Sequence, residues 1–119
     1  MVKIESFKQL KIWQKGIEVV KTIYALTKRF PKEELYCLTS QMRRAAVSIP
    51  SNVAEGFKRF HNKEYIQFLH IALGSCAELE TQLIVSKELG YINGVELADV
   101  SEKLDHISKM ITSLKRNLK

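Results

Sequence analysis

Two cysteines, two prolines, five glycines and a single tryptophan in 119 residues leave several kinds of chemistry without material. Cys37 and Cys76 stand at no metal-ligand spacing, and His61, His70 and His106 form no HxxxH, HExxH or CxxC pattern, so no metal site is expected. In a reducing compartment two isolated thiols read as small core residues rather than as a bridge. Gly90 and Gly94 fit neither GxxxxGK[ST] nor GxGxxG, so no phosphate-cradling loop and no cofactor are expected. No apolar run approaches the ~18 residues that span a bilayer. The opening MVKIESFKQLK lacks the apolar stretch of a signal peptide, which points to a cytoplasmic chain with no membrane partner. No internal repeat, low-complexity segment or strand pattern is evident.

What is present suits one domain, residues 1–119. The 45% hydrophobic content is enough for a core and excludes a disordered tail. Nineteen Lys and Arg against thirteen Asp and Glu give a net charge of +6 and a pI near 9.4. That surplus is compatible with a polyanionic partner such as nucleic acid, and equally with charge kept for solubility.

Hydrophobic periodicity predicts four helices. Ser6 and Gln9 have the form of a capping box that opens the first. Leu10, Trp13, Ile17, Val20, Tyr24 and Thr27 mark one of its faces; Ile12, Val19, Ile23, Leu26 and Phe30 mark a second. Two apolar stripes imply burial on two sides, as in an oligomer. Phe30-Pro31 ends this helix. Asn62 is placed to cap a third helix over 63–89, with Tyr65, Phe68, Leu69, Ala72, Leu73, Cys76, Leu79 and Leu83 inward and Gly90 as its stop. Gly74 and Ala77 are small enough to admit a close helix neighbour. Asn93 and Glu96 offer a second capping pair for a fourth helix, whose inner face is Leu97, Val100, Leu104, Ile107, Ile111, Leu114 and Leu118. These elements predict an all-α, antiparallel up-down-up-down four-helix bundle.

The second helix, within Leu38 to Phe60, organises the rest. Thr39 or Ser40 is placed to cap it, and Pro50 inside it predicts a kink. Gln41, Arg44, Ser48, Asn52, Glu55 and Arg59 fall within roughly 60° of one another on a helical projection. This strip either faces a ligand or forms a hydrogen-bonded seam between helices. Short, self-complementary Ser, Asn and Glu favour the seam, which Glu80 of the third helix would join by pairing with Arg43 or Arg44. Met42, Ala45, Ile49, Val53 and Phe57 form the inward face, and Gly56 permits close approach of another backbone. Val47, Pro50 and Ala54 make a smaller apolar patch that invites another surface. Together with Ile12, Val19 and Ile23 they form the expected oligomer interface. An enzyme built on Ser48, Asn52, Glu55 and Glu80 is disfavoured, because no second acid, base or nucleophile is placed beside Glu80 and no Glu-x-x-His pair occurs. No catalytic residue is assigned.

In order along the chain stand Leu10 to Trp13, Gln41-x-Arg43-Arg44-Ala45, Ser48-Ile49, Asn52-x-Ala54-Glu55-Gly56, and Gly74-Ser75 with Glu78-Leu79-Glu80-Thr81. In these motifs the chain resembles the bacterial four-helix-bundle family named for the 23S ribosomal RNA intervening-sequence protein, over essentially its whole length. The resemblance implies a ring-like homopentamer with no established enzymatic activity. It also implies similarity to the accessory variability protein of diversity-generating retroelements, a basic pentamer thought to engage nucleic acid and a reverse transcriptase. The resulting expectation is a non-enzymatic homo-oligomer that binds RNA or DNA through Arg43, Arg44, Lys58, Arg59 and Lys63, with Lys115, Arg116 and Lys119 as a second patch. The alternative is a scaffold whose partner is another protein.

Overall fold

The computed structural model describes residues 3–118, so Lys119 of the expected second basic patch lies outside the described residues. Four helices account for most of the chain: α1 (Lys11–Thr27), α2 (Ser40–Phe57), α3 (Asn62–Glu88) and α4 (Gly94–Asn117). Each packs on its two neighbours around a ring in chain order, with α2 against α3 the most extensive contact. Contacts run in opposite order along α1 and α2, along α2 and α3, and along α3 and α4, where Lys115 meets His70 and Ser108 meets Cys76. Gly16 meets Pro50 while Thr27 meets Arg43; Met42 meets Ser86 while Gly56 meets Tyr65. The helices therefore alternate in direction.

The core is the inner stripe of all four helices: Val19 and Ile23, Met42, Ile49 and Val53, Leu69, Leu79 and Leu83, and Val100, Ile107 and Ile111, all fully buried. By length and composition α3 is apolar enough to cross a membrane; in this fold its Leu69, Ala72, Cys76, Leu79 and Leu83 are buried in that core. Its outer side keeps Ile71, Ile84, Val85 and Leu89 exposed.

The ends of the helices follow the capping chemistry in part. The Ser6–Gln9 box forms, but on a 3-10 turn (Phe7–Gln9) that precedes α1. The Asn93–Glu96 box opens α4, and Gly90 takes the positive φ of 80° after α3. Neither Thr39 nor Ser40 caps α2 by accepting a backbone N–H. That helix is entered through a 3-10 turn (Lys32–Glu34) and a π-helical turn (Leu35–Thr39), so its first N–H groups already have carbonyl partners upstream. Asn62 is the first residue of α3 rather than its cap.

α2 runs through Pro50 as one helix. The ring is buried against Gly16 of α1, where a Cβ would lie 3.2 Å from Pro50 Cβ and Cδ. That contact opposes the roughly 3 kcal/mol that an interior proline costs a helix. Gly16 thus supplies one of the close approaches that Gly74 was expected to provide; Gly74 faces open space. Of the thiols, Cys76 is in the core and burial pushes its pKa up to about 11. Cys37 is exposed, contrary to the expected core placement, because it sits on the outside of the π-helical turn with non-helical torsions.

Candidate nucleic-acid interface

Alternating helix direction brings the start of α1, the end of α2, the start of α3 and the end of α4 to one end of the bundle. Lys58 and Arg59 close α2, Lys63 lies in the first turn of α3, and Lys115 and Arg116 lie in the last turn of α4. Lys115 Nζ is 3.3 Å from His70 Nδ1 of α3, which ties the two basic segments together. Lys8 and Lys11 add the start of α1, whose first turn carries no acid. The two patches expected from sequence are therefore one basic end.

Arg43 and Arg44 are not part of it. They lie one helix length away, about 21 Å from Lys58 at 1.5 Å per residue. Arg43 is half-buried, donating from Nε to Thr27 Oγ1 at 2.9 Å with its guanidinium 4.5 Å from the Tyr24 ring centroid. It fastens α2 to α1. Arg44 is exposed and makes no ion pair among the described residues. Arg59 is at the basic end but engaged: Nη2 is 3.1 Å from Glu55 Oε2, Nη1 is 3.7 Å from Glu64 Oε1, and its guanidinium lies 4.7 Å from the Phe68 centroid. Lys58 and Lys63 are exposed without ion pairs among the described residues.

The polar seam forms between α2 and α3 of one chain, with different membership from that expected. Ser48 Oγ and Ser75 Oγ are 2.8 Å apart, and Asn52 Nδ2 donates to Ser48 O at 2.8 Å and to Ser48 Oγ at 2.9 Å. Glu55 turns to Arg59, and Glu80 is exposed, paired with neither Arg43 nor Arg44. An exposed carboxylate keeps its hydration and needs no buried partner, so the reason for placing Glu80 in the seam falls away. Ser75, which sequence reasoning did not single out, takes its place. Its signal was its position with Gln82 and Ser86 on one side of α3, the side that meets α2.

The expected oligomer interface also divides. Ile12, Val19, Ile23 and Pro50 are covered by their own chain. Of the two stripes on α1, the one holding Ile12, Val19 and Ile23 is the core stripe. Of the other, Thr27 is buried, while Trp13, Ile17, Val20 and Tyr24 stay partly exposed, with Tyr24 against Arg43 of α2. At Tyr24 it adjoins Val47, with Leu35 and Tyr36 of the π-helical turn extending it, and at Trp13 it reaches Ala54 through the Phe7 ring. Tyr36 is 88% exposed and Val47 39%.

A cleft of about 470 Å³ between α1 and α4 is lined by acids and lysines, of which Asp99 pairs with Lys103 at 3.4 Å and Asp105 with Lys109 at 3.1 Å. Among the described residues no three His, Cys, Asp or Glu side chains gather as a metal would require.

A crystal structure from Bacteroides thetaiotaomicron, described as a protein of unknown function from the S23 ribosomal protein family, superposes with a TM-score of 0.81. It is 23% identical, over 87% of this chain and 97% of that one. The likeness is one of fold. No curated protein matches the chain. The model of the family described as 23S rRNA-intervening sequence protein matches residues 8–113. With the four-helix architecture and a match over nearly the whole length, the chain belongs to the 23S rRNA-intervening sequence protein family.

Proposed function

We propose that this protein is a non-enzymatic homo-oligomeric bundle that binds nucleic acid, RNA or DNA, through its basic end. One observation carries the reading: lysines stand where helix energetics disfavours them. Lys115 and Arg116 in the last turn of α4 complement the helix dipole, so their presence has a purely structural reason. Lys11 occupies the first turn of α1, which holds no acid, and Lys63 that of α3, beside Glu64; at both places the dipole repels a cation. Positive charge that costs stability from two helices, gathered beside charge from two others, is accounted for by a polyanion.

The partly exposed strip of Trp13, Ile17, Val20, Tyr24, Val47 and Ala54 supports self-association, since copies that cover it remove apolar area from water. A ring of five copies, as the resemblance implies, would multiply the basic end around one assembly. The copy number is read by light scattering or native mass; a monomer overturns the assembly.

Binding is tested by titrating a labelled rRNA fragment at rising salt. Affinity is expected to fall steeply between about 50 and 200 mM salt, because each neutralised phosphate releases counterions. Reversing Lys58, Lys63 and Lys115 to Glu should abolish it, whereas Arg43→Ala should leave the salt slope unchanged. No retention of the wild-type at low salt overturns the reading. A second reading, a scaffold for another protein, is favoured by the exposure of Leu35 and Tyr36 beside Val47; a partner that co-purifies after nuclease treatment would support it.

A further inference from the structure

We propose that Phe60 is a stacking platform for an unpaired base of a single-stranded nucleic acid, with Lys58 and Lys63 holding the adjoining phosphates. The inference rests on the nucleic-acid reading of the basic end and names the form of ligand that this end takes.

Phe60 is 99% exposed, the most exposed large apolar side chain among the described residues. It stands in the short connection between α2 and α3, at a corner that has already packed its other aromatic rings. Phe57 and Tyr65 meet edge to face with centroids 6.4 Å apart, and Phe68 lies under the Arg59 guanidinium. The Phe60 ring takes no part in that packing, and both of its faces are open.

The backbone that carries the ring is braced. Lys58 N donates to Ala54 O and Arg59 N to Gly56 O; Glu64 N and Tyr65 N both donate to His61 O. Gly56 fits against Tyr65 with no room for a Cβ. Arg59 is clamped between Glu55 and Glu64, so it supports the corner rather than reaching outward. A ring with free faces on a backbone braced at both sides, flanked in sequence by two unpaired lysines, has the two parts that single-strand sites combine: an aromatic surface for the base and cations for the backbone. In a duplex the base faces are stacked on one another and closed to a protein ring, so the arrangement discriminates for unpaired strands. Stacking needs only a π-face, so little base preference is expected.

The experiment measures fluorescence anisotropy with a labelled oligo-U, an oligo-dT and a duplex, each about 15 nucleotides long, a length within the range one such site covers. Phe60→Ala is expected to weaken single-strand binding roughly 5- to 150-fold, the loss of one stacked base. Duplex binding should change by less than about twofold and the salt slope should stay as in the wild-type, since no phosphate contact is removed. Phe60→Trp should restore single-strand binding. A loss confined to RNA or to DNA supports the proposal and identifies the strand. Equal loss on single strand and duplex, or no loss on either, overturns it while leaving the basic end intact. A wild-type that binds neither form fails the basic end itself, and this inference with it. A change in particle mass on Phe60→Ala would show the ring to be a protein contact and would also overturn the proposal.

Discussion

A Cβ added to Gly56 would lie 2.8 Å from Tyr65 Cδ1 and 3.2 Å from the Tyr65 carbonyl oxygen. The first atom belongs to a ring already packed on Phe57 and the second to backbone, so neither can withdraw cheaply. Gly56→Ala is expected to destabilise the fold by about 1–3 kcal/mol, in the range for overpacking, read as a lower urea midpoint with unchanged slope. The two cysteines should part in reactivity. Cys37 is exposed, whereas Cys76 is in the core with its thiol held up to about 11, chiefly by burial. Since the thiolate is the reactive form, a thiol reagent at pH 8 should label Cys37 in the folded protein and reach Cys76 only on denaturation. Rapid labelling of both in native buffer would contradict that placement.

Among the elements, α4 has the best-defined start. Asn93 Oδ1 accepts from Glu96 N at 2.8 Å, and Glu96 Oε1 accepts from Asn93 N at 3.0 Å while Oε2 meets Arg29 Nη2 at 2.7 Å. The Asn93 backbone hydrogen bond above all, with Arg29 adding to it, holds the Glu96 carboxyl below its ordinary 4.5 against the opposing effect of burial. A carboxyl whose folded pKa is depressed contributes stability that is present above the unfolded value and lost as pH falls through the folded one. Thermal stability should therefore decline as pH drops below about 4.5, and Glu96→Gln should flatten that part of the profile. Asn93→Ala removes the other half of the box and should cost about 1 kcal/mol at neutral pH. A Glu96→Gln protein with the acid profile of the wild-type would count against this account.

At the scale of the molecule, two features carry the proposal: the basic end, and the partly exposed apolar residues of α1 with Val47, Leu35 and Tyr36 beside Tyr24. Val47 is on that strip, 39% exposed, and absent from the core. Val47→Glu should leave the helical content unchanged and lower the mass measured by light scattering, because a carboxylate in an apolar contact between copies would be buried without a partner. The buried Ile49 two positions on is the control: Ile49→Glu should unfold the chain rather than dissociate it. A Val47→Glu particle with the wild-type mass would remove this strip from the assembly.

Local chemistry was legible in the residues alone. The 3.6-residue period marked all four helices and the core faces of α3 and α4, the Asn93–Glu96 box declared the start of α4 and Gly90 the stop of α3, and the Ser6–Gln9 box formed, though on the turn before α1, because each depends on neighbours within one turn. What depended on partners distant in the chain was not. Two apolar stripes on α1 look alike until α2 and α4 cover one of them, and the covered one proved to hold Ile12, Val19 and Ile23. Glu80 and Ser75 lie on one helix, and only the approach of α2 set Ser75 into the seam and left Glu80 in water. The union of the two basic patches, and the exclusion of Arg43 and Arg44 from them, likewise required the alternating direction of the helices. Periodicity tells which residues share a face of one helix; which face meets protein and which meets solvent is settled only when the other helices close around it.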